Sequence, residues 1–166
     1  IGPRRELGLR TLFNLLGPLT NPAGVRRQLL GVFSPALCRP MAQALAALGS
    51  EHAMVVHAED GLDELSIAAP SLVCELRNGT LTEYRLDPAD VGLSAPSLDG
   101  LVVESAAASA DLIRRALGGD DAAEDARSII ALNAGACIYV AGCADSVDDG
   151  VERAKSLITS GAALER

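Results

Sequence analysis

No stretch of the 166-residue chain approaches the roughly 18 consecutive apolar residues that a membrane span needs, because glycine, proline or charge cuts every longer candidate. The opening residues, Ile1-Gly2-Pro3-Arg4-Arg5, form no apolar signal core, and nothing else marks the chain for secretion. Zinc patterns are missing too. The four cysteines, Cys38, Cys74, Cys137 and Cys143, include no CxxC pair and no histidine at zinc spacing. Each sits among apolar neighbours, which predicts buried structural thiols in a reducing compartment. No GxGxxG or Walker spacing occurs, and no Ser-His-Asp or Cys-His grouping stands out. Membrane, zinc-site, P-loop and triad-hydrolase classes are thereby set aside, and a cytoplasmic protein is predicted. The chain opens on Ile1 rather than Met, so it is expected to be part of a longer protein.

What is present is a strongly apolar composition: 49% of residues are hydrophobic and 22% charged. Such a chain can bury enough surface to offset its ordering entropy, in one domain with a sizeable core. The net charge of −8 is unevenly spread, since Arg4, Arg5, Arg10, Arg26 and Arg27 face a single acid, Glu6, in the first 27 residues. The acidic remainder argues against a broad nucleic-acid surface. The basic segment can hold a small anion, or it can be a solvated arm.

Periodicity predicts the elements. Leu9, Leu12, Phe13 and Leu16 share one helical face, and Gly17-Pro18 ends that helix. Gln28 to Phe33 and Ala53 to His57 read as buried strands on either side of a helix over 36–48, with Ser34-Pro35 at its start. This βαβ unit predicts parallel pairing with a right-handed crossover. Leu72–Leu76 and Leu81–Leu86 alternate across Asn78-Gly79, a hairpin signal. Asp87-Pro88 opens a turn ending near Gly92. Helices follow over 105–117, over 121–140 and from Ser146 to Ser160. The fold class is α/β: a mixed, partly parallel sheet flanked by helices.

The chemistry-bearing segment is His57-Ala-Glu-Asp-Gly-Leu-Asp-Glu64, directly after the second strand, where α/β folds place ligands. Glu59, Asp60, Asp63 and Glu64 repel one another, which suits either a cation site or a turn screened by water. Adjacent hard oxygens favour Mg²⁺ shared with a substrate phosphate. His57 reads as a strand-end histidine with one hydrogen bond, and His52 as a cap or a solvent-facing group. No catalytic acid or base is assigned.

Longer strings go further. Arg4-Arg-Glu-Leu-Gly-Leu-Arg-Thr-Leu-Phe-Asn-Leu-Leu-Gly-Pro-Leu-Thr-Asn-Pro22 resembles the signature segment of the anthranilate phosphoribosyltransferases of tryptophan biosynthesis. Gln28-Leu-Leu-Gly-Val-Phe33, Gly61-Leu-Asp-Glu64, Leu132-Asn-Ala-Gly-Ala136 and Tyr139-Val-Ala-Gly142 fit the same family in order. The resemblance implies the C-terminal α/β domain of a nucleoside-phosphorylase-like phosphoribosyltransferase, over residues 1–166. It implies that Asp63 and Glu64 bind Mg²⁺ on the pyrophosphate of phosphoribosyl pyrophosphate. It also implies that Arg4 contacts anthranilate, where a guanidinium fork matches a carboxylate, and that Gly17 and Pro18 line the anthranilate channel. A homodimer is implied for the intact enzyme, with no nucleic-acid or membrane partner.

Two departures stand against the family pattern. His57-Ala58 replaces the usual His-Gly. The family's Gly-Thr-Gly-Gly-Asp and Lys-His-Gly-Asn motifs, and its N-terminal helical domain, have no counterpart in these residues, so the chain alone is expected to be inactive. A non-catalytic fragment and a nucleic-acid-binding paralogue are the alternative readings.

Overall fold

The structure, a computed structural model, describes residues 17–21 and 23–165. The helix predicted over 9–16, and Arg4, lie outside the described residues; residues 17–19 are themselves helical, so the stop predicted at Gly17-Pro18 comes instead after Leu19, at the turn of Thr20. Four strands form one sheet: β1 (Arg27–Gly31), β2 (His52–Ala58), β3 (Ser71–Arg77) and β4 (Thr80–Leu86), in the spatial order β1-β2-β3-β4. β1 and β2 run parallel, with Leu29 beside Met54. The remaining pairs are antiparallel, with Val56 beside Val73 and Val73 beside Tyr84. This is the mixed, partly parallel sheet that the sequence predicts.

Alternation of side chains along β2 builds two cores at once. Ala53 and Val55 face α1 (Cys38–Ala47), where they meet Met41, Ala42 and Leu45. Met54 and Val56 face the other way, onto Leu132, Ala136 and Val140 of α3 (Glu124–Val140) and Val151 of α4 (Val147–Thr159). Every residue of β2 is buried for that reason. The shorter α2 (Ala106–Leu117) packs on the outer side of α3, through Leu112 and Ala116 against Ala126 and Ile130. α3 and α4 approach closely because Gly135 and Gly150 face each other: a Cβ on Gly135 would lie 2.5 Å from the Val151 nitrogen.

The predicted boundaries hold to within a few residues, and the deviations have local causes. Val32 leaves the β1 ladder, yet its N–H still donates to the Val56 carbonyl at 2.9 Å. Ser34 is extended but makes no side-chain cap; a 3-10 turn over Pro35–Leu37 precedes α1. The helix expected over 121–140 opens instead on a 3-10 turn, Asp121–Ala123, held by the Asp120 side chain accepting from the Ala122 N–H. Ser105 and Ser146 cap α2 and α4 by accepting from the backbone N–H three residues on. Asn78 and Gly79 both take positive φ (51° and 79°), as a two-residue hairpin turn requires.

Two side-chain expectations are corrected. Cys38 and Cys74 are buried, but Cys137 and Cys143 are exposed. Cys137 falls on the outer face of α3, and Cys143 comes after the helix ends. His52 is not solvent-facing: β2 starts one residue earlier than predicted, and His52 lies 4% exposed between the layers. Its Nε2 is 2.9 Å from Glu75 Oε1, and Tyr139 and Tyr84 donate to the two oxygens of Glu75 at 2.7 and 2.9 Å. Arg77 in turn donates to the Tyr139 hydroxyl at 2.9 Å. Burial, and next the Glu75 carboxylate beside it, pushes the Tyr139 hydroxyl pKa upward. No helix among the described residues is long and apolar enough to cross a membrane.

Candidate functional site

The acidic loop leaves β2 at Ala58 and folds back on itself. Gly61 takes φ 95° and donates to the Ala58 carbonyl at 3.0 Å. The Ala58 N–H donates to the Leu62 carbonyl at 2.9 Å. Alanine at position 58, where the family has glycine, is accommodated here in ordinary strand pairing opposite Ser71. His57 is buried, and its Nδ1–H donates to the Val32 carbonyl at 2.8 Å, the strand-end role read from the sequence.

The four carboxylates of the loop divide into two pairs. Glu59 is engaged: Arg85 of β4 donates to both its oxygens, at 2.6 and 2.7 Å, in a two-pronged exposed pair. That hydrogen-bonded guanidinium holds the Glu59 carboxyl below the usual carboxylate range. Asp60 is engaged as well, accepting from the Leu62 N–H at 3.1 Å and the Ser66 hydroxyl at 2.5 Å. Asp63 and Glu64 are exposed, and neither carboxylate has a hydrogen bond or ion pair among the described residues. Repulsion within the loop is thus relieved for the first pair and left in place for the second.

The loop continues inward at Leu65, which is fully buried. Two contacts fix its course there. Gly31, at the end of β1, lies so close beneath the Asp63 carbonyl that a Cβ would come 1.6 Å from its oxygen. From α3, Asn133 accepts from the Leu65 N–H at 3.1 Å and donates to the Leu65 carbonyl at 2.9 Å. Beside the loop, Leu62 and Glu64 border an apolar groove of about 410 Å³, whose floor includes Leu101, Leu112 and Ile129.

Among the described residues, no group of three or more His, Cys, Asp or Glu is arranged around a common point to hold a metal. Asp63 and Glu64 offer two hard oxygen donors and open solvent. That donor set fits a hydrated Mg²⁺, which keeps several waters and takes one or two carboxylates. Gly17 and Pro18 lie elsewhere. Pro18 lines a cleft of about 400 Å³ with Asn21, Arg26, Leu45 and Ser50. That cleft is at the start of β1, whereas Asp63 packs on its end, about 13 Å of strand away. The structure therefore brings Asp63 and Glu64 together but does not bring Gly17 and Pro18 to them. The Arg85 clamp and the Asn133 contact are additions that sequence reasoning missed. A lone asparagine in the otherwise apolar stretch 129–140 was the available signal for the second.

The α/β architecture and the loop at the end of its parallel strand coincide with a known family. A family model described as glycosyl transferase family, a/b domain, matches residues 1–164, and the chain belongs to that family. The anthranilate phosphoribosyltransferases of Teredinibacter turnerae and Saccharophagus degradans are each 61% identical to it over 168 residues. Each match covers 100% of the chain and 49% of the relative. The chain thus spans about half the length of the curated relatives it matches. The crystal structure of anthranilate phosphoribosyltransferase from Thermus thermophilus superposes with a TM-score of 0.84 at 44% identity, over 99% of this chain and 48% of that one. The Saccharomyces cerevisiae enzyme in complex with PRPP and Mg does so with a TM-score of 0.82 at 29% identity, over 98% and 46%. The resemblance read from the motifs is borne out.

Proposed function

We propose that this chain supplies the metal-binding loop of an anthranilate phosphoribosyltransferase. The enzyme would transfer the phosphoribosyl group of phosphoribosyl pyrophosphate to the amine of anthranilate, in tryptophan biosynthesis. In that reaction the amine nitrogen forms a bond to C1 of the ribose, the C1–oxygen bond to pyrophosphate breaks, and the amine then loses a proton. The observation that carries the reading is the pair Asp63 and Glu64, exposed and without a partner among the described residues at the end of a parallel strand, while their loop neighbours are engaged by Arg85 and Ser66.

Asp63 and Glu64 would hold Mg²⁺, which neutralises the pyrophosphate oxygens on which charge develops. Glu59 and Asp60 keep the loop folded and take no direct part. No catalytic acid or base is needed, since an aromatic amine attacks in its neutral form. Arg4, Gly17 and Pro18 are assigned to anthranilate, with Arg4 recognising its carboxylate. A cytoplasmic homodimer is the form proposed for the intact enzyme, with neither nucleic acid nor membrane as partner. Arg26, Arg39, Arg85, Arg115 and Arg153 each pair with a protein carboxylate, so these cations are not free to gather phosphates along one face.

The test is Asp63→Ala with Glu64→Ala in the full-length enzyme. Turnover is expected to fall at least a hundredfold, about 2.7 kcal/mol in barrier. Turnover within threefold of the parent would remove the assignment.

A further inference from the structure

Asp63 and Glu64 are held by two backbone contacts that lie outside the carboxylates themselves. Between them, the Asp63 carbonyl rests on Gly31, where no side chain can be accommodated without moving the loop. After them, the Asn133 amide engages both the N–H and the carbonyl of Leu65, the residue that follows Glu64. The Asn133 amide is itself fixed, because its Nδ2 also donates to the Ile129 carbonyl of its own helix at 3.1 Å. Leu65 is 0% exposed, and its backbone groups have no other hydrogen-bond partner among the described residues. Without Asn133 two buried polar groups would be orphaned, and the chain around Glu64 would turn to recover partners.

We infer that Asn133 is a positioning residue for the metal-binding pair: by clamping Leu65 it fixes the backbone from which Glu64 and Asp63 project. The inference rests on the metal reading above. Donor geometry matters at such a site because Mg²⁺ tolerates little departure from octahedral ligand placement. A side chain on α3, bonded to the Leu65 backbone and to neither carboxylate, would thereby set how well the two carboxylates on the loop hold one ion.

The experiment uses the full-length protein, with Mn²⁺ and inorganic pyrophosphate as probes and bound metal read by water-proton relaxation. Asn133→Ala is expected to weaken Mn²⁺ binding at least tenfold and to raise the Mg²⁺ needed for half-maximal turnover by a similar factor. The anthranilate KM should stay within twofold. Should Asn133→Ala fail to fold, Asn133→Ser carries the same expectation, as its shorter side chain also cannot span to Leu65. A folded variant whose Mn²⁺ affinity stays within twofold of the parent, even with lowered thermal stability, makes Asn133 a purely structural group and overturns the inference. Asp63→Asn with Glu64→Gln separates the two readings. If that pair of changes leaves Mn²⁺ affinity unaltered, the metal assignment fails and the inference falls with it. If it abolishes binding while both Asn133 variants bind normally, only the inference falls.

Discussion

The two ends of β2 carry acidic residues in opposite circumstances. At its start, Glu75 reaches across from β3 and is saturated: His52, Tyr84 and Tyr139 all contact its two oxygens within 2.9 Å. At its end, Asp63 and Glu64 stand in solvent with no protein donor among the described residues. A buried carboxylate is tolerated only when its hydrogen-bonding capacity is filled from within. An exposed pair left unfilled, at the position where α/β folds place ligands, is free to take an external cation. One end of the strand therefore ties its carboxylate up internally, and the other leaves its acidic pair open to solvent.

Substitutions can break or sharpen that contrast. Glu75→Ala should have the largest effect on stability, about 3–5 kcal/mol, because three polar groups lose their buried partner. Chemical denaturation of the variant measures it; a loss under about 1 kcal/mol would mean that the cluster relaxes onto water. Tyr139→Phe is milder. It removes one donor to Glu75 and the acceptor of Arg77, so a loss of about 1–3 kcal/mol is expected in the same assay.

The Glu59–Arg85 pair sits between the extremes, exposed but engaged. Since Arg85 lowers the Glu59 pKa, the pair's contribution to stability is present above the unfolded carboxylate value, near about 4.3. It disappears as pH falls through the lower folded value. The stability difference between the parent and Arg85→Gln should accordingly narrow on moving from about pH 6.5 to about pH 3; a difference that widens would contradict the pairing. Smallest of all is the effect on folding of Asp63→Ala with Glu64→Ala. No hydrogen bond or ion pair among the described residues is lost and a repulsion is relieved, so the melting temperature should hold or rise slightly. A clear fall would place the pair in the structural half of the comparison.

Much of this arrangement is legible in the sequence, for reasons that can be named. β2 is a continuous apolar run because it is covered on both faces, and Asn78-Gly79 announces its hairpin because both residues accept positive φ. Gly61-Leu-Asp-Glu64 is a local string, so its cluster of carboxylates at the end of a strand can be read without tertiary information. The engaged partners are not local. Arg85 lies 26 residues from Glu59, and Asn133 lies 68 from Leu65. No periodicity links such pairs; only the closing of the sheet against α3 does. His52 illustrates the same limit. One extra residue of strand turned a group expected at the surface into a buried one, because the strand is covered on both faces.

The four thiols, finally, differ enough in setting to serve as chemical handles. Burial pushes Cys38 up to about 11, so it carries almost no thiolate near neutral pH and should resist alkylation. Cys74, buried beside it, is raised in the same direction and for the same leading reason. Cys143 is exposed just beyond the end of α3. Cys137, exposed one helical turn after Asn133, is slowed by partial desolvation. A maleimide fluorophore under native conditions should therefore label Cys143 first and Cys137 second. The protein thus carries a native attachment point just past the C-terminal end of the helix that holds the acidic loop, and a probe there could report movement of that helix end without an engineered cysteine.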